Sequence, residues 1–377
     1  MKHISITGRS NVLRIAMVIL LAAMLVATLA ACGSDTPEPV AEASTPAPAA
    51  AETPAATEEA PATEAPANLE PVVMVWNPNE SGAASQGVRD AFSHFIYEAI
   101  GREVEHMTTT DYVIAIEAMA SGAASIAYMG AVGYIEASNR NADLDVLVVN
   151  SGPSGTLDDA LYFSWLAVHY DNAADHLDAD GNLTHDNIPG MSMSFVSTTS
   201  TSGFVVPSSD LISHFAEHDL DEDALLEPGF FSDVLFGGSH QGSAVNVLDG
   251  RAQVGAFADI ILMNYLELVE GEHNMLGAVY EVRADVEAPF NQFVGERIIL
   301  IRSVPVLNPP FVFNTTMFTA EEVEALRAVL ISDEVANTPE IFFPADGDVH
   351  GLHIKTEDER FLVVDAAWYQ PLRDLVG

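Results

Sequence analysis

The chain has 377 residues, 49% of them hydrophobic, so its length allows about two or three domains and its composition supplies a sizeable core. The formal net charge of −41, from 14 Lys and Arg against 55 Asp and Glu, argues against a nucleic-acid partner, because phosphate backbones are gripped by basic side chains. Cys32 is the single cysteine, which excludes an intrachain disulfide.

At the N-terminus, Lys2, Arg9 and Arg14 form a basic region and residues 15–27 an apolar stretch of signal-peptide length. Leu29-Ala30-Ala31-Cys32 then resembles the lipobox of bacterial lipoproteins, in which the Cys is lipidated and becomes the first mature residue. Residues 1–31 are expected to be a signal peptide and Cys32 the membrane anchor; each buried acyl methylene contributes about 0.8 kcal/mol. Residues 32–70 are expected to be a disordered tether: from Gly33 on it is rich in Ala, Pro, Thr and Glu, with no aromatic residue, Lys or Arg. Such a composition buries too little apolar surface to order itself, and its prolines keep it semi-extended.

Folding is expected from Pro71 on, where 11 basic residues face 47 acidic ones, a net of −36, and Lys355 is the one lysine. A surface so acidic repels itself unless screened. We read it as adaptation to high salt, a cation-binding surface being the other reading; equal stability without NaCl would sink the first.

Residues 72–76 predict a strand, ended by the turn signal Asn77-Pro78-Asn79. Helical spacing follows over 88–100, through Val88, Phe92, Phe95, Ile96 and Ile100, and again over 114–120. Residues 125–129 predict a strand, Gly130 opens a helix through Ala137, and 144–149 is a further strand. Strands alternating with helices imply a mainly parallel sheet. Residues 162–169 predict a longer strand leaving this unit. A second αβ series runs from Met191 to about Val282, with a strand at 191–196, helical spacing at 211–220, and segments at 246–248, 254–257 and 260–268. Residues 297–304 are apolar and β-branched, and 311–313 continue after a Pro pair. Thr319 is placed to cap a helix with Glu322 at the capping-box position, and 368–375 predict a terminal helix.

The turn between strand 191–196 and the following helix reads Ser197-Thr198-Thr199-Ser200-Thr201-Ser202-Gly203-Phe204-Val205-Val206-Pro207. Ser200, Thr201 and Ser202 supply O–H donors, and the helix start supplies unpaired N–H groups with a partial positive charge. Together they suit a small, phosphate-like anion. The same residues serve as an ordinary N-cap, the commoner use of Ser and Thr at this position.

With these pieces placed, the chain resembles the phosphonate-binding, PhnD-like family of ABC-transporter substrate-binding proteins. Four stretches carry the likeness: VWNPNES at 75–81, Thr110-Asp111-Tyr112 with Glu117-Ala118-Met119, Ser200 to Pro207 (STSGFVVP), and Gly238-Ser239-His240 followed by Ala244, Val247 and Gly250. The resemblance covers about residues 71–375. It implies an α/β, two-lobed periplasmic-binding-protein type 2 fold, each lobe a mainly parallel sheet flanked by helices, with residues 71–168 and 305–377 in lobe 1 and 169–304 in lobe 2. Residues 162–170 and 297–313 would cross between the lobes.

The resemblance also implies a site in the interlobe cleft. Ser200, Thr201 and Ser202 would cradle the phosphoryl oxygens, Tyr112 would donate from the opposite lobe, and His240 would add another donor. Tyr128 and Met129 fall where relatives carry an aromatic pair, Met129 replacing a Tyr, and Gln241 stands where an acid is frequent. Asp259 lies near the position of an acid that recognises an amino group in some relatives, with Ile260 as the alternative occupant. The ligand would be a phosphonate, phosphite or phosphate anion, bound without cofactor or metal by neutral dipoles, so that no Lys or Arg is indispensable. The chain would be a monomer, not an enzyme, extracytoplasmic and anchored to the outer face of the cell membrane, or else periplasmic, and serving an ABC permease and ATPase.

Two other readings compete. His214-Phe215-Ala216-Glu217-His218 fits H-x-x-E-H, in which two His on one helix face grip zinc in a hydrolase, although no further acidic ligand can be assigned. The other is a lipoprotein that senses a ligand without transporting it. Asp178-Ala179-Asp180-Gly181-Asn182 is like a calcium loop, but His176 and Asn187 occupy its first and twelfth positions, so a polar turn is expected.

Overall fold

The computed structural model describes residues 70–80, 85–344 and 351–376. The expected signal peptide at 1–31, Cys32 and all of the tether except Glu70 lie outside the described residues. Among these residues no helix is long and apolar enough to cross a membrane.

Strand β1 (Val72–Trp76) is followed by helix α1 (Ser85–Ile100), which buries Val88, Phe92, Phe95 and Ile96, the face that the apolar spacing marks. Strand β2 (Val104–Thr108) comes next. Helix α2 (Tyr112–Ser121) is capped by the Asp111 side chain, which accepts from Val113 N–H, and is stopped by Gly122 at φ 75°. Strand β3 (Ile126–Tyr128), helix α3 (Ala131–Arg140) and strand β4 (Leu144–Asn150) complete this series.

The chain then enters the long strand β5 (Leu161–His169). The second series holds β6 (Ser192–Phe195), a π-helical turn at Thr201–Val205, α4 (Val206–His214), β7 (Asp233–Phe236), α5 (His240–Leu248), β8 (Val254–Ala258), α6 (Asp259–Leu262), β9 (Leu266–Glu270) and β10 (Val279–Val282). Strand β11 (Arg297–Leu307) returns alongside β5, paired from Leu307↔Leu161 to Ile298↔His169. After it come β12 (Pro310–Asn314), α7 (Ala320–Leu330), α8 (Asp333–Ala336), β13 (Phe342–Pro344), β14 (His353–Lys355), β15 (Phe361–Leu362) and α9 (Gln370–Val376).

Two large sheets result. The first runs β15-β4-β12-β3-β1-β2 and the second β7-β6-β8-β5-β11-β10-β9. Both are mixed rather than mainly parallel: β12 is antiparallel to β3 and β4, and β5 is antiparallel to β8 and β11. The departure has a topological cause, since a strand that crosses from one sheet to the other and back enters against the αβ rhythm of its neighbours. Aromatic pairs pack helix on sheet, as Phe92 on Phe311 at 5.0 Å, and neighbour on neighbour within a sheet, as Trp165 on Tyr280 at 4.5 Å. Each such pair is worth about 0.5–1.5 kcal/mol beyond its burial.

Several local expectations shift. Strand β2, with the polar sequence VEHMT, takes its order from pairing with β1 and carries no apolar run. The helix expected at 211–220 begins at Val206 and ends at His214, because Phe215 leaves helical geometry to enter the core and Asp219 adopts φ 52°. Segment 260–268 divides into α6 and β9. The capping box of α7 is present in full, with Thr319 and Glu322 bonded reciprocally.

Candidate functional site

Between the two sheets lies a cavity that offers about 30 Å³ to water-sized groups, room for roughly two or three of them. Four helical segments begin at it. Tyr112 is the first residue of α2, Gly130 the N-cap of α3, Thr201 the first residue of the π-helical turn, and His240 the first residue of α5. The first turn of a helix leaves N–H groups without intrahelical partners, and each N-terminus carries about half a positive charge. None of the residues lining the cavity is Lys, Arg, Asp or Glu. The positive ends that meet at the cavity are therefore backbone dipoles and not charged side chains.

The hydroxyl-rich turn is both cap and cradle. Ser200 Oγ accepts from Gly203 N–H at 3.1 Å, while Ser200, Thr201 and Ser202 all line the cavity, at most 2% exposed. Ser202 C=O accepts from Ser164 Oγ at 2.7 Å, which ties the turn to β5. Gly203 lets it lie flat on the preceding strand: a Cβ there would sit 2.2 Å from Val196 Cγ2. Tyr162 at the start of β5 lines the cavity with Ser202, and burial pushes its hydroxyl pKa upward, so it stays protonated.

His240 is 5% exposed and burial pushes its pKa down to about 3, so the ring is neutral. Its Nδ1 accepts from Ala258 N–H at 3.0 Å. The proton of the neutral ring therefore belongs on Nε2, which makes His240 a fixed donor. Across the cavity, Tyr112 Oη accepts from Asn79 Nδ2 at 2.7 Å. Tyr128 lines the wall and packs on Phe311 at 4.8 Å.

Of the residues expected at the site, Tyr112, Tyr128, Ser200, Thr201, Ser202 and His240 come together here, and Asp259 does not. Its carboxylate turns away to accept from Phe163 N–H at 2.8 Å, Ile260 N–H at 2.7 Å and Asn274 Nδ2 at 3.0 Å. Burial pushes its pKa up to about 6. Ile260 and Ile261 take the place at the wall, with Met129 and Pro309, so part of the wall is apolar. Asn77, Asn79, Tyr162 and Gly130 also line it without having been singled out for that role. The Asn-Pro-Asn turn signal marks the position of Asn79, but an aromatic at the head of a strand, as Tyr162 is, reads as core.

The competing motifs fare differently. His214 ends α4, Phe215 is buried, and Glu217 and His218 belong to a separate 3-10 turn, Ala216–His218, so the two His share no helix face. His214 Nε2 bonds Asp186 at 2.5 Å and its ring lies 4.0 Å from that of His185. Asp178 accepts from the N–H groups of Asp180 and Asn182, both at 2.8 Å, as a polar turn does. Among the described residues no group of three or more His, Cys, Asp or Glu is placed to hold a metal ion.

Two mixed α/β halves with a cavity between them define the class of two-lobed periplasmic binding proteins. The chain belongs to the family of periplasmic substrate-binding proteins of phosphonate ABC transporters, whose family model matches residues 74–348. It is 23% identical over 199 residues to the phosphate-import protein PhnD of Mycolicibacterium smegmatis, an alignment that spans 51% of this chain and 56% of that relative. Its fold is similar to that of a binding protein component of an ABC phosphonate transporter from Pseudomonas aeruginosa, with TM-score 0.58, 19% identity, and coverage of 82% of this chain and 86% of that one. It is also similar to PhnD1 of Prochlorococcus marinus, solved in complex with methylphosphonate, with TM-score 0.56, 12% identity, and coverage of 81% and 96%.

Proposed function

We propose that this chain captures a small phosphorus oxyanion, phosphate, phosphite or a short phosphonate, in the cavity between its sheets and delivers it to the permease and ATPase of an ABC importer. The observation that carries the reading is the convergence of four helical N-termini, with serine and threonine hydroxyls, on a cavity without a charged side chain. Hydrogen bonds from neutral donors to an anion are roughly twice as strong as neutral pairs, and they act at contact distance, where the distant acidic surface is screened. Ser200, Thr201 and Ser202 cradle the oxygens from one side; Tyr112, Tyr128 and His240 face them. The chain does no chemistry on its ligand.

The cavity is small and part of its wall, Met129, Ile260, Ile261 and Pro309, is apolar. An oxyanion bearing hydrogen or methyl on phosphorus suits that wall, whereas an aminoalkyl group finds no carboxylate, because Asp259 is turned away. The first sheet, with β1 to β4, β12 and β15, belongs to one lobe, and the second sheet, with β5 to β11, to the other. The chain acts as a monomer held by lipid on Cys32 at the outer face of the membrane.

A thermal-shift screen with phosphate, phosphite, methylphosphonate, aminoethylphosphonate and sulfonates tests the reading. A ligand at 100 times its Kd adds about 2.7 kcal/mol, an easily measured rise in melting temperature. Absence of a shift with every phosphorus oxyanion would overturn it, and a shift with aminoethylphosphonate above that with methylphosphonate would refute the role given to the apolar wall.

A further inference from the structure

Two helices at the cavity are capped by residues from the opposite side. Helix α3 packs on β4 and β12 of the first sheet. Its own N-cap is Gly130, which has no side chain to offer. The missing acceptor comes from the turn that packs on β5 and β8 of the second sheet: Thr201 Oγ1 accepts from Val132 N–H at 2.9 Å. Val132 is the second residue of α3, where an N-cap side chain bonds. Gly130 is what permits the approach, since a Cβ there would lie 2.7 Å from Thr201 Oγ1.

The converse holds on the other side. Helix α5 packs on β8 and β6 of the second sheet. Its N-cap Ser239 accepts from Gly242 N–H at 3.0 Å, which leaves the N–H of His240 to be met from elsewhere. Asn79, in the turn after β1 of the first sheet, supplies the acceptor: its Oδ1 takes His240 N–H at 3.1 Å, and its C=O takes Gln241 Nε2 at 3.0 Å. The same Asn79 donates to Tyr112 Oη at 2.7 Å, so one side chain joins a donor on each side of the cavity.

We infer that the two halves are held together around the ligand by this exchange of caps, Asn79 onto α5 and Thr201 onto α3, and that Asn79 is a positioning residue that governs ligand release. The inference rests on reading the cavity as the ligand site. An N–H buried without an acceptor is costly, so each cap is satisfied when the halves meet and is replaced by water when they part. Cap interactions of this kind act on a state formed after encounter, and they slow dissociation rather than speed association.

The test compares the wild type with Asn79→Ala, Asn79→Ser and Gly130→Ala, using methylphosphonate and phosphite as probes. Stopped-flow kinetics give kon and koff, and melting of the ligand-free proteins monitors folding. Asn79→Ala is expected to raise koff about tenfold, the size of a lost cap, with kon within about twofold and the ligand-free melting temperature unchanged. Asn79→Ser, which keeps an acceptor, should recover part of the loss, and Gly130→Ala should raise koff further by displacing Thr201. Wild-type koff in both alanine variants would overturn the inference, as would a fall in kon equal to the rise in koff. If the wild type binds neither probe, the ligand reading is at fault. Small-angle scattering then decides on the caps: expansion of Gly130→Ala relative to the wild type supports them, and identical profiles overturn them.

Discussion

The two ends of segment 200–218 each carry polar side chains in a suggestive pattern, hydroxyls at one and histidines at the other, and do opposite things. At its start, Ser200, Thr201 and Ser202 are buried at the mouth of a π-helical turn, among three other helical N-termini. At its end, His214 is half-exposed, bonded to Asp186 and stacked on His185, and the helix has already stopped. Both stretches carry sequence patterns associated with chemistry. The difference is burial and direction. The N-terminus opens onto a buried cavity, where an anion gains most from the helix dipole. The C-terminus faces water, where an imidazole–carboxylate pair is worth at most about 1 kcal/mol.

Mutations at the two ends sharpen this contrast. The largest effect is expected from the double variant Thr201→Val and Ser202→Ala, which should weaken oxyanion binding about 100-fold by calorimetry, since hydrogen bonds to a charged group are worth about 1.5–3 kcal/mol each and couple when adjacent. Retained affinity would break the comparison. Gly203→Ala should cost about 1–3 kcal/mol in urea unfolding, because its Cβ would overlap Val196.

Acidification probes the buried histidine beside the turn. His240 and His353 are both held down to about 3 by burial. The unfolded chain takes up protons below pH about 6.5 while the native chain does not, so stability should fall as pH drops from there toward 3. At pH 5 each contributes a loss of about 2 kcal/mol. Asp259, raised to about 6, works the other way: the native state takes up its proton first, which offsets part of the loss between pH 6 and about 4. His240→Gln should flatten the slope, and a slope unchanged by that substitution would refute the assignment. The smallest effect belongs to the far end. His214→Ala should leave stability within about 0.5 kcal/mol and binding unchanged at neutral pH, with zinc content by atomic absorption unaffected.

Much of this is legible in the sequence because it rests on local rules. The strand at 72–76, the α7 capping box and the Ser200 to Ser202 turn follow from apolar spacing, reciprocal side-chain caps and hydroxyls before a helix. Other parts resist such reading for identifiable reasons. Strand β2 is ordered by its partner rather than by its own residues. Asn79 and Tyr162 look like a turn former and a core aromatic until the second sheet is set against them. Asp259 misleads because, at the start of the short helix α6, its carboxylate bonds Phe163 N–H of β5 while Ile260 lines the cavity instead.

The αβ rhythm, the family motifs and the dominance of acid over base can be read without coordinates, because all are properties of single segments or of composition. The mixed order of the sheets, the neutral state and proton placement of His240, and the capping of α3 and α5 by residues from the opposite half arise from tertiary contacts. Those features depend on contacts between residues such as Asn79 and His240, 161 positions apart in the chain, and no local pattern encodes such a meeting.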